Sequence, residues 1–326
     1  MGDFVLLYPL YALLFSDAGL STAEISSLFA IWSATGFVLE VPSGIWADAV
    51  SRRLPLALAP LLSGCGFAIW VLAPSYPTFA LGFVLWGAQG ALQSGALEAL
   101  VYEELEHAGE APRYAQVMGR AAALGTVAVG AAMGLAAPVF AAGGFDAIGA
   151  ASVIACLAAA AVGATFPEHR TAPAASELPG IRAHLVMVRT GLEDMRHSPA
   201  LRRALLVVPA VTAVWGSLEE YVPLLALETG VERETVPLLA LLVAAATAVG
   251  GMLAGRANAL SARGVSLALA GAAVALAFGA LSLKPAGFIL LAVAFAGFQA
   301  LTVVADARLQ DAIEGPARST VTSVAG

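Results

Sequence analysis

Charged residues are scarce in this sequence. Asp, Glu, Lys and Arg make up 12% of its 326 residues, about half of the roughly 25% that is usual in a soluble domain. Hydrophobic residues make up 60% and the mean hydropathy is +0.85. One water-soluble core cannot hide so much apolar surface, so the composition predicts a protein that crosses a membrane several times.

Reactive clusters are also missing. The two cysteines, Cys65 and Cys156, lie inside apolar runs, where buried thiols are expected rather than a disulfide or a metal site. The four histidines show no metal-ligand spacing, and there is no phosphate-binding Gly-Lys-Ser/Thr loop for ATP. A net charge of −7 argues against a nucleic-acid partner. We therefore expect no enzyme, no cofactor and no metal site.

Long apolar runs are what the sequence has in abundance. Barrel strands would be shorter and would alternate in polarity, so the runs are predicted to be helices and the fold class all-α and polytopic. The runs cover residues 4–15, 25–47, 54–73, 78–101, 115–140, 145–166, 201–227, 236–259, 265–283 and 286–305, and an eleventh starts near Ser319.

Basic residues fall almost entirely on one side of the predicted helices. With loops alternating sides, all but two of the 16 Lys and Arg residues lie on the same side, the exceptions being Arg233 and Lys284. The positive-inside rule places that side in the cytoplasm of a cell with these helices in its plasma membrane. The polar segment 167–199 then is a cytoplasmic linker between bundles 1–166 and 200–326. It is predicted to form an amphipathic interfacial helix, with a disordered linker as the alternative.

A charged signature ends the second run. Gly44 precedes Asp48 by four residues, and Arg52 and Arg53 follow within a short turn. A related pattern recurs 207 residues later at Gly251 and Arg256.

A second match supports an internal repeat. The segment that begins at Glu98 recurs, with similar acidic and aliphatic positions, 208 residues later at Asp306. Two matches at nearly one offset predict two related halves.

Together these features resemble the major facilitator superfamily of transporters. The resemblance covers essentially the whole chain, with a departure at Ser51, where the family usually has Gly. It implies two pseudo-symmetric six-helix bundles and no catalytic role. It also implies that the loop at Gly44–Arg53 helps to close the cytoplasmic side, with Asp48 facing the start of helix 11. The alternative for the loop is simple positive-inside anchoring of its arginines.

The first and last runs are too short for this fold. The first, residues 4–15, cannot cross about 30 Å of hydrocarbon, and the last stops at Gly326. We expect the chain to be truncated, with roughly 50 residues missing after its end if the repeat is complete.

Ionisable and amide groups inside a span are functional candidates, because burying them in lipid is costly. Glu40 lies about 12 Å deeper along its helix than Asp48. A coupling or structural role in the cavity and a gate-level hydrogen bond are both open. Gln89 and Gln93 either line a cavity or bridge helices. Glu98 and Arg120 are predicted to form a structural ion pair, with a transport role as the alternative, and Asp306 is the repeat partner of Glu98.

Glu219 and Glu220 are the strongest candidates for proton coupling, as two adjacent acids in an apolar run with Pro223 three residues after the second. Carboxyl groups in apolar surroundings can exchange protons near neutral pH, as proton coupling requires. The alternative is an unwound helix whose acids face external water.

We therefore predict a monomeric secondary transporter that works by alternating access. Proton-coupled export of a small organic molecule is favoured, with export following from the family resemblance alone. Two alternatives remain: an uncoupled facilitator, and a non-transporting or degenerate membrane fragment.

Overall fold

The computed structural model of the protein describes residues 4–169, 215–257 and 260–312. Contacts divide the chain into two compact units, Met1–Ile181 and Arg182–Gly326. All regular elements in the described residues are helices, which confirms the predicted all-α class. The predicted interfacial helix in the linker and the contact at Ser319 lie outside the described residues.

The first unit contains six helical segments in its described part, and the last of them is divided by a break. They are α1 (Tyr11–Asp17), α2 (Thr22–Ala49), α3 (Arg53–Leu72), α4 (Tyr76–Gln93), α5 (Ala96–His107) and α6 (Tyr114–Ala164), with a 3-10 turn at Ala111–Arg113. The second unit contains a helical turn at residues 215–219, followed by α7 (Val222–Glu228), α8 (Val236–Ala257), α9 (Ala262–Leu281) and α10 (Gly287–Ala312).

Among the described residues, six helical segments are long and apolar enough to cross a membrane. One of them, Ala111–Ala164, has 54 residues, and a helix of that length would be about 80 Å long. It is broken at Gly143 and Gly144, where Gly144 takes a left-handed φ of 60°. The break separates two helices, as the apolar runs 115–140 and 145–166 predict.

The fourth apolar run is not one helix. Residues 78–101 were expected to be continuous, but α4 ends at Gln93 and α5 begins at Ala96. Gly95 between them has a φ of +70°, a conformation that glycine adopts without the steric cost that other residues incur. The continuous helix predicted from apolarity is therefore wrong at this point.

An aromatic cluster forms the core of the first unit. Trp70 is 0% exposed and donates its indole N–H to the Phe79 carbonyl at 3.1 Å. Phe15 from α1 packs against both rings, with centroids 5.0 Å from Trp70 and 4.3 Å from Phe79. The short N-terminal segment is thus buried, although the sequence alone marked it as too short to span.

The two units repeat one pattern of helix pairing. In the first unit α4 packs against α2 and α3, and in the second α10 packs against α8 and α9. The sequence offset relates α8 to α2, α9 to α3 and α10 to α4, so the same pairs meet in each unit. The internal repeat predicted from sequence therefore has a structural counterpart.

Candidate functional site

The turn between α2 and α3 is held by a carboxylate from the far end of the first unit. Glu168, which follows α6, accepts a hydrogen bond from the Ser51 hydroxyl at 2.7 Å. Its other carboxylate oxygen accepts one from the backbone N–H of Arg52, also at 2.7 Å. The Ser51 oxygen in turn accepts the Leu54 N–H at 3.0 Å, at the start of α3. Ser51 thus has a structural role at the position where the family usually has Gly.

These bonds favour the ionised form of Glu168. Its partial burial opposes ionisation, but the Ser51 hydroxyl, the backbone N–H groups of Arg52 and Arg53 and the Arg53 charge outweigh that cost. The pKa of Glu168 is therefore held below its ordinary value. The Arg53 guanidinium also donates to the Phe166 carbonyl at 3.5 Å, which adds a second contact between the same two segments.

The tip of α5 joins this network. Arg52 forms an ion pair with Glu103 at 2.5 Å, with side chains 24% and 41% exposed respectively. The neighbouring Glu104 accepts the His169 backbone N–H at 2.6 Å and lies 2.8 Å from His169 Nδ1. The His107 and His169 rings stack at 4.5 Å with an interplanar angle of 9°.

Glu104 is electrostatically tied to both histidines. Burial works against its ionisation, but the hydrogen bonds from His169 and the positive charge available on His169 and His107 hold its pKa below the ordinary value. We call Phe166–His169 the strap, because it bonds to the α2–α3 turn through Glu168 and to α5 through His169.

The sequence alone did not single out Glu103, Glu104, Glu168 or His169 as site residues. One signal was available: all four lie on the arginine-rich side, next to ends of apolar runs, where opposite charges can meet. Their pairing depends on helix packing, which the linear pattern does not contain.

A second cluster joins α2 to the α4–α5 break. Glu40 accepts a hydrogen bond from the Ser94 hydroxyl at 2.6 Å. One turn further along α2, the buried Ser43 hydroxyl lies 2.7 Å from the Ala91 carbonyl and 3.0 Å from that of Glu40. Glu40 thus makes a hydrogen bond between helices, and its role in the cavity or at the gate stays a prediction.

The amide pair on α4 is bonded internally. Gln89 donates from Nε2 to Gln93 Oε1 at 2.5 Å, and both side chains are half-buried. The bond leaves one amide acceptor and one amide donor of the pair open to another group.

The acidic pair of the second unit lies at a helix break. Residues 215–219 are helical, Glu220 and Tyr221 form a turn, and α7 starts at Val222 with Pro223 in its first turn. Glu219 is exposed and Glu220 half-buried. Among the ion pairs between described side chains, neither carboxylate takes part.

The remaining predicted residues are more scattered. Glu98 lies in the first turn of α5 and Arg120 near the start of α6, both exposed. Their predicted ion pair is not among those of the described side chains. Arg52 pairs instead with Glu103, which lies five residues after Glu98 on α5. The side chains of Asp48, Arg256 and Asp306 lie outside the described part of the chain.

The two signature glycines occupy related places in α2 and α8. A Cβ on Gly44 would meet no atom within 4 Å, whereas one on Gly251 would lie 3.6 Å from Gln299 Cγ. The described residues contain no cluster of three or more His, Cys, Asp or Glu arranged to hold a metal ion.

Comparison with known proteins identifies the family. The family profile described as the Major Facilitator Superfamily matches residues 1–326, while no curated protein matches the chain. A solved structure titled as the crystal structure of a D-xylose-proton symporter is similar, with a TM-score of 0.59 and 17% sequence identity over 94% of this chain and 83% of that chain. At such low identity the likeness shows the fold alone. The chain belongs to the Major Facilitator Superfamily. It is a multi-pass membrane protein and a secondary transporter.

Proposed function

We propose that the protein exports a small organic molecule in exchange for protons, by alternating access. The observation that carries this proposal is the position of Glu219 and Glu220 at the break before α7. Transporters build their substrate and ion sites at interrupted helices, and an ionisable group in a membrane-spanning segment is by default a functional candidate. Glu40 is the second coupling candidate, in the first unit.

The substrate contact in the first unit is assigned to Gln89 and Gln93. Their mutual hydrogen bond orients both amides and leaves a donor and an acceptor for a ligand. Polar side chains on a membrane helix are unfavourable against lipid, which supports contact with water, protein or substrate.

The α2–α3 turn is assigned to the cytoplasmic gate. Its support is the network of Ser51, Arg52, Glu103 and Glu168, which ties the turn to both α5 and the strap. The protein is taken to be a monomer in the plasma membrane, with this turn and the linker 167–199 on the cytoplasmic side.

Orientation is tested by labelling single cysteines with a membrane-impermeant maleimide in intact cells and in inverted vesicles. In a Cys65→Ser background, Arg113→Cys is expected to react only in inverted vesicles and Glu232→Cys only in cells. Both native side chains are exposed, so access depends on sidedness. The opposite pattern would reverse the proposed topology.

Transport is tested in proteoliposomes with an imposed pH gradient, using D-xylose, ethidium and benzoate as neutral, cationic and anionic probes. Protein-dependent accumulation of one probe that collapses with the gradient is expected. Transport that ignores the gradient would favour an uncoupled facilitator.

The direction of transport is measured in the same vesicles. If the protein exchanges substrate for protons, as proposed for export, the substrate moves in the direction opposite to the protons. The D-xylose-proton symporter similarity favours a second candidate, proton-driven uptake, in which substrate and protons move together.

A further inference from the structure

We propose that Tyr8, Trp86 and Trp32, which we call the aromatic row, bind an uncharged, planar aromatic molecule with hydrogen-bond acceptors at its edge. Gln89 follows Trp86 by three residues, on the same face of α4. The inference therefore rests on the proposed function and names the substrate class of the site assigned there to Gln89 and Gln93. Binding to the row can be measured without transport.

The row consists of three stacked rings from separate segments of the first unit. Trp86 of α4 packs against Tyr8 with ring centroids 5.2 Å apart and an interplanar angle of 13°. Trp32 of α2 packs against Trp86 at 5.0 Å and 29°. Among the described rings Trp32 packs against Trp86 alone, so it ends the row. All three residues are half-buried, which leaves part of each ring open to a ligand.

The packed core holds the row in place on its other side. Phe83, one turn before Trp86, is 0% exposed and stacks on it at 5.7 Å with an interplanar angle of 19°. A Cβ on Gly87 would lie 2.8 Å from the Trp32 carbonyl oxygen, so α4 lies directly against the backbone of α2 beside the row. The flat surface is thus formed before any ligand arrives, as is usual for small-molecule sites.

The two tryptophans of the row lie in the middle of their spans. Trp32 is ten residues from Thr22 at the start of α2, and Trp86 is ten residues from Tyr76 at the start of α4. At 1.5 Å per residue, each lies about 15 Å along its helix, which is half of the roughly 30 Å of hydrocarbon. Tryptophans that anchor a protein in a membrane lie at the two interfaces instead. Anchoring therefore does not explain this pair.

The indole N–H groups of this pair are available as donors. The indoles of Trp70 and Trp215 each donate to an oxygen at 3.1 Å. Within the described part of the chain, no hydrogen bond uses the indole of Trp32 or Trp86, yet no buried side-chain polar atom there lacks a partner. Both N–H groups therefore lie where a bound molecule can reach them. Since a tryptophan N–H in apolar surroundings usually has a partner, they are suited to acceptor atoms of a ligand.

The segment that carries Tyr8 is not helical. Residues 6–10 form turns, and α1 begins at Tyr11. The Leu7 N–H donates at 3.0 Å to the buried hydroxyl of Ser152 on α6. Irregular backbone at membrane depth is tolerated where it packs inside the protein or lines a cavity, and transporters place ligand sites at such interruptions. The row thus adjoins the kind of backbone that ligand sites use.

These groups define the chemistry of the ligand. A flat ring can stack on the open part of the row, since aromatic rings attract each other in offset stacks. Two indole N–H groups and the amides of Gln89 and Gln93 offer more donors than acceptors, so the ligand must supply acceptors. α2 has no charged residue between Glu24 and Glu40, and α4 has none. An ionised ligand would find no opposite charge on these helices at this depth, so we infer an uncharged one.

The test observes the indoles directly. The full chain has five tryptophans and is isotope-labelled at their indole nitrogens in nanodiscs, so that magnetic resonance shows one N–H signal for each. Substituting each tryptophan in turn assigns the signals. Coumarin is the probe, because it is flat and uncharged and carries lactone oxygens at one edge. Naphthalene has the same two fused rings without an acceptor, and ethidium is a planar cation.

Coumarin is expected to shift the signals of Trp32 and Trp86 in a saturable manner. Those of Trp70 and Trp215, whose N–H groups already have acceptors, should stay in place. Naphthalene should bind about tenfold more weakly, because it accepts no hydrogen bond. Ethidium should give no saturable shift.

Variants separate the ring from its donor group. Trp32→Phe keeps a ring but removes the N–H, and should weaken coumarin binding about two- to tenfold with little effect on naphthalene. Trp32→Leu removes the ring as well and should weaken binding of both probes. Gln89→Met, which is close in shape, should weaken coumarin binding only. Phe37→Leu is the control and should change neither, because Phe37 is an 86% exposed ring on the same helix.

Equal affinity for coumarin and naphthalene would overturn the proposal, as would shifts of all five indole signals that never saturate. Tighter binding of ethidium would also overturn it, because the site would then select a cation. Equal effects of Trp32→Leu and Phe37→Leu would show that the ligand does not contact the row. If the Trp32 variants fail to fold, Gln89→Met and the comparison of probes still decide the question.

The inference and the proposed function fail in different ways. Coumarin binding without proton-coupled transport of any probe would contradict only the proposed function. Proton-coupled transport of another probe, with no saturable binding of coumarin, would contradict only the assignment of the aromatic row.

Discussion

Ser51 and Glu168 are 117 residues apart in sequence, yet the Ser51 hydroxyl donates to the Glu168 carboxylate at 2.7 Å. This bond brings the end of α6 against the turn between α2 and α3. It connects the loop signature to the segment that follows α6.

Glu168→Gln is expected to lower the melting temperature at neutral pH. The folded-state pKa of Glu168 is depressed, so its contribution is present above the unfolded-state pKa and is lost as the pH falls through the folded value. The loss at pH 7 should be about 1 kcal/mol or less, since the site is partly exposed.

The measurement is thermal unfolding in detergent, followed by tryptophan fluorescence between pH 4 and 8. Glu106→Gln, exposed on the same side of the unit, serves as the control and should show no such trend. A Glu168→Gln deficit that grows towards pH 4 would contradict the assigned role.

Charge exchange between Arg52 and Glu103 should restore what either single reversal removes. Arg52→Glu and Glu103→Arg each place like charges together at the tip of α5, while the double variant re-forms an ion pair. A coupling of about 0.5–1 kcal/mol is expected for a partly exposed pair. The double-mutant cycle is read from melting temperatures, and additive losses would show that the two residues do not interact.

Replacing Gly87 or Gly250 by alanine is expected to lower the stability of the protein. A Cβ on Gly87 would lie 2.8 Å from the Trp32 carbonyl oxygen, and one on Gly250 would lie 2.1 Å from that of Ala296. Both neighbours are backbone atoms on a packed helix, so overpacking should cost about 1–3 kcal/mol in each unit.

The controls for these two glycines are Gly90→Ala and Gly255→Ala. A Cβ at either position would meet no atom within 4 Å, and alanine is the better helix former by up to about 1 kcal/mol. Unfolding of all four variants in detergent compares them directly. Equal stability of the tight and open sites would refute the close helix contacts.

Much of the fold follows from local patterns in the sequence. The apolar runs predict where most described helices lie. At the start of α2, Ser21 and Glu24 form a capping box, a helix-start motif that depends on residues three apart in sequence, with the Ser21 N–H donating at 2.8 Å to Glu24. The break at Gly143 and Gly144 is visible as a gap between two runs. These features depend on neighbours in sequence, so the chain alone contains the information.

Less of the candidate site could be predicted from the sequence. The apolar run continues across Ser94 and Gly95, and serine and glycine are both tolerated inside helices, so the sequence gives no strong local signal of the bend there. The bonds of Glu168 and His169 depend on how α5 and α6 pack against the α2–α3 turn. Such contacts need the tertiary arrangement, which periodicity does not determine. The roles of Glu219, Glu220 and Glu40 in coupling stay predictions.

The central claim is that Glu219 and Glu220 couple transport to protons, and the most direct test is proton flux that accompanies substrate flux. Proteoliposomes with a trapped pH indicator are given the transported probe without an initial pH gradient. The account predicts substrate-dependent proton movement that falls at least tenfold in Glu219→Gln or Glu220→Gln and persists in Glu228→Gln, an exposed acid at the other end of α7. Undiminished proton movement in both variants and in the double variant would contradict it.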